Sequence, residues 1–358
     1  MYIYIHIPFC NHICSYCDFP KVLYDKKYIN KYLDSLKREI VNRYKGEVIK
    51  TIYIGGGTPT ALDYDELEKL LDITDIFNKD NNIEFTIESN IESIDDDKIR
   101  LLKRYNVNRV SLGVQSFDKD ILRDLGRIHS KDDVIRVVDL LKKNDINNIS
   151  IDLIYGVNDD INVIKRDINL FLSLNIPHVS CYSLIIEEHT LYGINNREYI
   201  DDDIDYNIYK YIEDTLIDKG YKHYEVSNYA RDGYESIHNI NYWNNGEYYG
   251  FGLGAVSYIN KYRIVNTKSL TKYIDGYYLD NKIYEDINEE ISNTLILGLR
   301  KIDGIEIDKF NSKYQTNIID LYNIKELIRD KKLIINNNRL FVNSKYFYLL
   351  NDILVNFI

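Results

Sequence analysis

The 358-residue sequence contains few cysteines and prolines, four of each, and a single methionine and tryptophan. Four cysteines, three of them close together, do not form the spread pattern of a disulfide framework. No apolar run reaches the length of about eighteen residues that a membrane-spanning helix needs. The net charge of −11 shows no excess of positive charge, which makes binding to nucleic-acid phosphates a poor prediction.

What is present is a soluble globular composition, with 45% apolar and 28% charged residues. The chain is long for one domain, and its length predicts one large domain with a small appendage. The first residues alternate apolar and polar side chains and lack a basic start, so they do not resemble a signal peptide. We therefore expect a cytoplasmic protein, in which clustered thiols more often hold a metal than a disulfide.

The first half of the sequence repeats a β-rich run, a turn and a segment with helical spacing. The six β-rich runs are residues 2–8, 51–57, 84–90, 109–115, 149–157 and 178–184. Residues 130–144 show the helical spacing, with Ser130 as the N-cap and valines and leucine on one face. Alternating strands and helices predict an α/β fold with a parallel sheet.

Two α/β architectures compete for these six units, which are two short of a closed eight-fold barrel. One is an open, partial (β/α)6 barrel, and the other is a doubly wound sheet. Every β-rich run ends in polar or glycine-rich residues, for example GGGTPT at 55–60 and GVQSF at 113–117. Polar residues at the ends of all six strands are expected where the carboxyl ends of the strands surround a single opening, and this favours the partial barrel.

The sequence divides into three predicted domains. Residues 1–220 form the partial barrel, ending in a helix at 201–220. Residues 221–285 form an aromatic and glycine-rich extension. Residues 286–358 form a small helical, winged-helix-like unit, with a hairpin at 333–342 turned by Asn336 to Asn338 and a last helix at 344–358. We expect this unit to pack against the rest of the chain and not to bind DNA.

Three cysteines lie within eight residues, in the stretch IHIPFCNHICSYCDFP, with the spacing C-x3-C-x2-C: Cys10, Cys14 and Cys17. A structural zinc site needs four ligands, and His6 or His12 could supply the fourth. A four-iron cluster would instead take one thiolate on each of three irons and leave the fourth iron open to a small molecule. Spacing alone leaves both possibilities open.

Taken together, several motifs resemble a known superfamily. The cysteine spacing after a first strand, with Tyr16 before the last cysteine and GGGTPT after the second strand, resembles radical S-adenosylmethionine (SAM) proteins. The further motifs ESN, SLGVQSF, LGRIH, DLIYGV and HNINYW extend the resemblance over nearly the whole chain. They resemble the oxygen-independent coproporphyrinogen III oxidase group and, within it, the heme chaperone branch.

The resemblance implies a [4Fe-4S] cluster on the three cysteines and SAM on the open iron. Glycines allow close approach of the backbone to the methionine part of SAM, a carboxylate accepts hydrogen bonds from ribose hydroxyls, and an amide and a guanidinium suit the SAM carboxylate. The implied SAM contacts are Tyr4, Tyr16, Gly56, Gly57, Thr58, Glu88, Gln115, Arg127 and Asp152.

Two features favour the heme chaperone branch over the oxidase. Phe19 stands where the oxidase has a further cysteine, and the first strand begins at residue 2 without the oxidase's N-terminal extension. In the chaperone branch the motif HNINYW at 238–243 carries the proposed heme ligand, here His238, because imidazole is a common axial ligand of heme iron. Tyr242 and Trp243 would flank the macrocycle.

The sequence therefore predicts a heme chaperone that binds a [4Fe-4S] cluster, SAM and heme and transfers heme to acceptor proteins. The alternative is a radical SAM enzyme that oxidises a tetrapyrrole, and a zinc-stabilised structural protein is a third hypothesis. No catalytic residue is predicted. The expected partners are a heme-accepting protein and a reductant protein such as flavodoxin or ferredoxin, with no nucleic acid. Any contact with a membrane would be peripheral and made through the acceptor.

Overall fold

The computed structural model describes all 358 residues of the chain. The strands are β1 (Tyr2–Ile7), β2 (Phe9–Cys10), β3 (Val22–Leu23), β4 (Ile49–Gly56), β5 (Lys79–Asn90), β6 (Arg109–Gln115), β7 (Asn148–Tyr155), β8 (His178–Ser183), β9 (Lys222–Glu225), β10 (Asn228–Ala230), β11 (Tyr249–Gly252), β12 (Val256–Ile259), β13 (Tyr262–Asn266), β14 (Leu279–Tyr284), β15 (Ile305–Glu306), β16 (Leu333–Asn336) and β17 (Arg339–Val342).

Fourteen α-helices connect or follow these strands. They are α1 (Lys26–Arg43), α2 (Tyr64–Ile73), α3 (Asp96–Arg104), α4 (Lys119–Asp124), α5 (Lys131–Lys143), α6 (Ile161–Ser173), α7 (Leu191–Ile194), α8 (Asp202–Asp218), α9 (Ile237–Trp243), α10 (Leu270–Ile274), α11 (Ile287–Gly298), α12 (Ile307–Tyr314), α13 (Ile324–Arg329) and α14 (Leu350–Leu354). None of these helices has the length and apolar character needed to cross a membrane.

The main sheet has nine strands in the order β11-β1-β4-β5-β6-β7-β8-β10-β9. The strands from β11 to β8 run parallel, and β10 and β9 add an antiparallel edge. From β1 to β8 the order follows the chain, so the sheet has no point at which the strand order reverses, as a doubly wound sheet has. The two edge strands β11 and β9 do not pair with each other. The partial (β/α)6 barrel is therefore confirmed.

Side chains alternate between the two faces of the barrel strands, as the two-residue period requires. On β6 the buried apolar residues that pack in the hydrophobic core are Val110, Leu112 and Val114. The intervening residues line an internal cavity: Arg109, Ser111, Gly113 and Gln115. Strands of a buried parallel sheet are ordinarily apolar on both faces. The polar inner face of β6 therefore indicates that the interior of the barrel is a binding site and not only a packed core.

The helices cover the outer face of the sheet, and α5 shows how the sequence directs one of them. Ser130 caps its first turn by accepting a hydrogen bond from the amide of Asp133, and the Asp133 side chain accepts from the Ser130 amide in return. Val134, Val137, Val138 and Leu141 are buried against the sheet, which confirms the predicted helical face. The helix predicted at 201–220 is also present, as α8.

A buried carboxylate joins α1 to the segment that carries β11 and α10. Glu39 is fully buried and accepts hydrogen bonds from the Gly252 amide at 2.9 Å, Tyr273 Oη at 2.6 Å and Asn266 Nδ2 at 2.7 Å. Arg43, one helical turn further on, pairs with the same carboxylate. Tyr249, Phe251, Leu253 and Tyr273 of this segment belong to the large core, which contains 56 buried residues.

The C-terminal residues have a second hydrophobic core of 18 residues, from Ile291 to Phe357. It combines α11 to α14 with the small sheet β15-β17-β16, which is the predicted winged-helix-like arrangement. Asn337 and Asn338 turn the hairpin in the left-handed conformation, with φ of 47° and 59°. The helix predicted at 344–358 is wrong as one element, because it divides into the 3-10 segments Ser344–Leu349 and Val355–Phe357 around the short α14. The division into three domains stays a prediction.

Candidate functional site

A cavity of about 350 Å3 opens at the carboxyl ends of the barrel strands. Eleven of the thirteen predicted site residues line it: Cys10, Cys14, Tyr16, Cys17, Gly56, Gly57, Thr58, Glu88, Gln115, Arg127 and Asp152. They come from five strands and three loops that are distant in sequence. The two remaining predicted residues, Tyr4 and His238, lie outside this cavity.

Short parallel pairing closes the cysteine loop at its base. Strand β2 pairs with β3, and the Val22 amide donates to Pro8 O at 2.8 Å while the Tyr24 amide donates to Cys10 O at 2.8 Å. Further along, the Ser15 amide donates to Leu125 O at 3.2 Å. The loop is therefore held at both ends and at its middle, which fixes the backbone that carries the three thiols.

The glycines of GGGTPT permit a close approach between this loop and β4. At Gly57 an added Cβ atom would lie 2.8 Å from Pro8 O and 2.9 Å from Cys10 Sγ. At Gly56 the backbone has φ of +115°, and an added Cβ would lie 2.5 Å from the ring of His6. Only glycine fits either position without displacing the cysteine loop or the histidine that supports it.

The three thiols differ in their surroundings but share the cavity. Thr58 Oγ1 lies 3.8 Å from Cys10 Sγ, and Arg127 Nη1 lies 3.6 Å from Cys14 Sγ. Burial raises the pKa of Cys10 to about 11 and also raises the pKa of Cys17. A bound iron would offset this cost, because coordination favours the thiolate.

The lining suits a four-iron cluster, although His12, one of the two candidate fourth zinc ligands, also lines the cavity and its Nε2 has no hydrogen-bond partner. No three Cys, His, Asp or Glu side chains converge so as to hold one ion. His6, one candidate fourth zinc ligand, uses both ring nitrogens: Nδ1 lies 2.9 Å from Tyr4 Oη and Nε2 lies 2.7 Å from Pro20 O. A four-iron cluster distributes three thiolates over three irons, which three cysteines around one cavity suit.

Two partly buried acids stand on the inner face of the barrel. Glu88 accepts hydrogen bonds from Tyr53 Oη at 2.8 Å and from the Gly56 amide at 3.0 Å. Burial nevertheless raises the pKa of Glu88 to about 7, and burial also raises the pKa of Asp152. Asp152 lies 3.4 Å from Ser111 Oγ. Both carboxyl groups can take hydrogen bonds from a polar ligand in the cavity.

A polar network ties Arg127 to the other motifs. Its Nη2 donates to Gly113 O at 2.6 Å and to Asn90 Oδ1 at 2.9 Å, and Asn90 Nδ2 donates to Thr58 Oγ1 at 2.9 Å. The motifs LGRIH, ESN and GGGTPT therefore meet beside the cysteine loop. Gln115, at the end of β6, has φ of 69°, an uncommon conformation for a residue other than glycine.

Several residues that the sequence motifs do not single out also line the cavity. They are Tyr53, Asn90, Arg109, Ser111 and Ser180. Arg109 is only 2% exposed, and its Nε has no hydrogen-bond partner, so a buried cation faces the cavity. The sequence signal that indicates such residues is a polar side chain at every second position of an otherwise apolar strand.

Tyr4 and His238 are engaged elsewhere. Tyr4 Oη contacts the His6 ring, as described above. His238 is 1% exposed, with Nδ1 at 2.7 Å from Thr51 Oγ1 and Nε2 at 2.9 Å from Tyr242 Oη. Burial lowers the pKa of His238 to about 3. Both ring nitrogens of the predicted heme ligand are therefore already bound within the protein.

The sheet forms a partial barrel around a cysteine-lined cavity, and residues 4–168 match the radical SAM superfamily. Heme chaperone HemW of Lactococcus lactis is 40% identical over 99% of this chain and 96% of its own length. Heme chaperone HemW of Bacillus subtilis is 36% identical over 93% of this chain and 92% of its own length. The chain belongs to the HemW family.

A solved structure shares the whole fold. Coproporphyrinogen III oxidase (HemN) from Escherichia coli, described as a radical SAM enzyme, superimposes with a TM-score of 0.88 over 99% of this chain and 89% of its own. The two sequences are 22% identical, so the likeness concerns the fold. It covers the C-terminal unit as well as the partial barrel.

Proposed function

We propose that this protein is a heme chaperone that binds a [4Fe-4S] cluster, SAM and heme and transfers heme to an acceptor protein. The observation that carries the proposal is the cavity lined by three cysteines and no fourth. The remaining cysteine, Cys181, is buried on the outer face of β8 among core residues, and Phe19 is 59% exposed. Three thiolates leave one iron of a cubane open to a further ligand.

The chain's own residues suit that role. Cys10, Cys14 and Cys17 would hold the cluster, and the cluster with SAM supplies one-electron chemistry when bound. Gly56 and Gly57 leave the backbone open to the methionine part of SAM. The other lining residues provide acceptors for hydroxyls and donors for a carboxylate.

Polar groups of both kinds line the cavity. Glu88 and Asp152 can accept hydrogen bonds from ribose hydroxyls, and Gln115 can donate one. Arg109 offers a guanidinium that no carboxylate neutralises in a close ion pair. The side chain of Arg127 is already held by Gly113 O and Asn90, so it braces the cysteine loop through Cys14.

The chaperone proposal is supported by the relatives, which carry the name heme chaperone over nearly the full length of this chain. Phe19 in place of a fourth clustered cysteine argues against a decarboxylating oxidase. A cytoplasmic location, a reductant protein and a heme acceptor are parts of the same proposal.

The test is a reconstitution under anaerobic conditions followed by two assays. We expect about four irons and four sulfides per chain, and tight binding of hemin to the reconstituted protein. Coproporphyrinogen incubated with SAM and a reductant should remain unchanged. Release of carbon dioxide and formation of protoporphyrinogen would overturn the chaperone proposal in favour of the oxidase. Zinc without sulfide would overturn both.

A further inference from the structure

The state of the seven histidines bears on where a heme iron can be bound. Six are buried or turned toward a neighbouring carboxylate: His6, His12, His129, His178, His223 and His238. His189 is the only exposed histidine, and neither of its ring nitrogens is hydrogen-bonded within the protein. Nitrogens without a hydrogen-bond partner also occur in His12, which is partly buried, and in His129, which is buried. His189 is therefore the one histidine that is both exposed to solvent and free of hydrogen bonds within the protein.

His189 lies in the turn between β8 and α7 and lines a surface groove of about 450 Å3. The groove lies between the cysteine loop and α7, and Cys14 and Cys17 line it as well as the internal cavity. Its apolar walls are unusually exposed: Ile13 is 43%, Phe19 59%, Leu191 51% and Ile194 63% exposed. Singly exposed apolar residues are common, but four around one groove mark a contact site for an apolar ligand.

The charges around the groove suit carboxylates. Lys21 and Lys268 line it, and neither forms an ion pair with an acidic side chain. The ammonium group of Lys21 donates to the backbone oxygens of Cys17 and Phe19 instead. Asp18 is the only acid in the lining. In a chain with a net charge of −11, two unneutralised lysines beside one acid form a local positive site.

We propose that this groove is the heme site, with His189 as the axial ligand of the iron and Lys21 and Lys268 binding the two propionates; this rests on the proposed chaperone function. The macrocycle lies against Ile13, Phe19 and α7, partly open to solvent. An open site of this kind allows transfer to an acceptor, because the heme need not leave a closed core. His238 then has a structural role, since both its nitrogens are used inside the protein.

The experiment is a hemin titration of the full-length protein followed by absorption spectroscopy. We compare the wild type with His189→Ala and His238→Gln, with thermal unfolding as a check on folding. His189→Ala should weaken hemin binding at least about tenfold, which corresponds to about 1.4 kcal/mol, and should lose the spectrum of the histidine-ligated iron. Free imidazole should restore that spectrum. His238→Gln should keep both the affinity and the spectrum.

A separate set of variants tests the contacts between the two lysines and the heme propionates. The double variant Lys21→Glu, Lys268→Glu should weaken hemin binding without changing the spectrum of the bound iron. Heme dimethyl ester should bind the wild type and this double variant equally. Lys37→Glu, an exposed charge reversal on α1 outside the groove, is the matched control and should bind hemin as the wild type does.

The outcomes separate the two proposals. If the wild type binds hemin and His189→Ala keeps its affinity and spectrum, the groove assignment is wrong while the chaperone proposal stands. Loss of the spectrum in His238→Gln but not in His189→Ala would also overturn it. If the wild type binds no hemin at all, the proposed function falls first and the groove assignment falls with it.

Discussion

Replacing Gly56 by alanine tests how tightly β4 supports the cysteine loop. The left-handed backbone costs about 1–2 kcal/mol for a residue with a side chain. The new Cβ would also lie 2.5–2.8 Å from three atoms of the His6 ring, which is 3% exposed and has no room to swing away. Overpacking of this kind costs a further 1–3 kcal/mol, roughly. The expected total is about 2–5 kcal/mol.

The matched control is Gly46→Ala. Gly46 has φ of +93°, but an added Cβ there meets nothing within 4 Å. This variant should lose only the backbone term, about 1–2 kcal/mol. Urea unfolding of both variants measures the difference, which isolates the contact with His6.

A second readout follows from the position of His6. Its Nε2 contacts Pro20 O, so displacing the ring loosens the end of the cysteine loop. Gly56→Ala should therefore retain less iron after reconstitution than Gly46→Ala. Equal urea midpoints, or equal iron contents, in the two variants would refute the argument that glycine is needed here for close approach.

Three further predictions concern buried polar groups. In the folded protein the pKa of Glu88 is raised from 4.5 to about 7, so Glu88 stabilises the fold most below pH 4.5, and about 3 kcal/mol of that stability is lost as the pH rises to 7. In urea unfolding, Glu88→Gln should therefore lose less stability between pH 4.5 and 7 than the wild type does. The same pH dependence in both proteins would refute this prediction. Glu39→Ala leaves Arg43 without its buried partner and should cost about 3–5 kcal/mol in the free energy of unfolding, whereas a loss below 1 kcal/mol would contradict the network. His238→Ala leaves two hydroxyls unpaired and should cost about 2–4 kcal/mol, and an unchanged unfolding curve would rule out its structural role.

Local patterns were enough to predict the barrel strands. The run 109–115 coincides with β6, and the others agree within a few residues at most boundaries because apolar runs flanked by turns are local signals. The exception is β5, which begins at Lys79, five residues before the predicted run. The backbone of Lys79 pairs with Ile49 of β4, and pairing between strands is not visible in one segment.

The site was predictable where it lies in contiguous motifs and not where it depends on packing. The cysteine loop and GGGTPT are contiguous, and the structure brings them together. The burial of His238 depends on Thr51, which is 187 positions away. The exposure of His189 likewise depends on how α7 packs beside the cysteine loop. Neither histidine could be assigned without the tertiary structure.

The most direct test of the account is the spectrum of the reduced cluster, by electron paramagnetic resonance, before and after SAM is added. An open iron on a three-cysteine cluster predicts a four-iron signal that shifts when SAM is bound, and loss of that signal in Cys14→Ala. A protein that assembles no four-iron cluster, or one whose signal is unchanged by saturating SAM, would contradict the central claim.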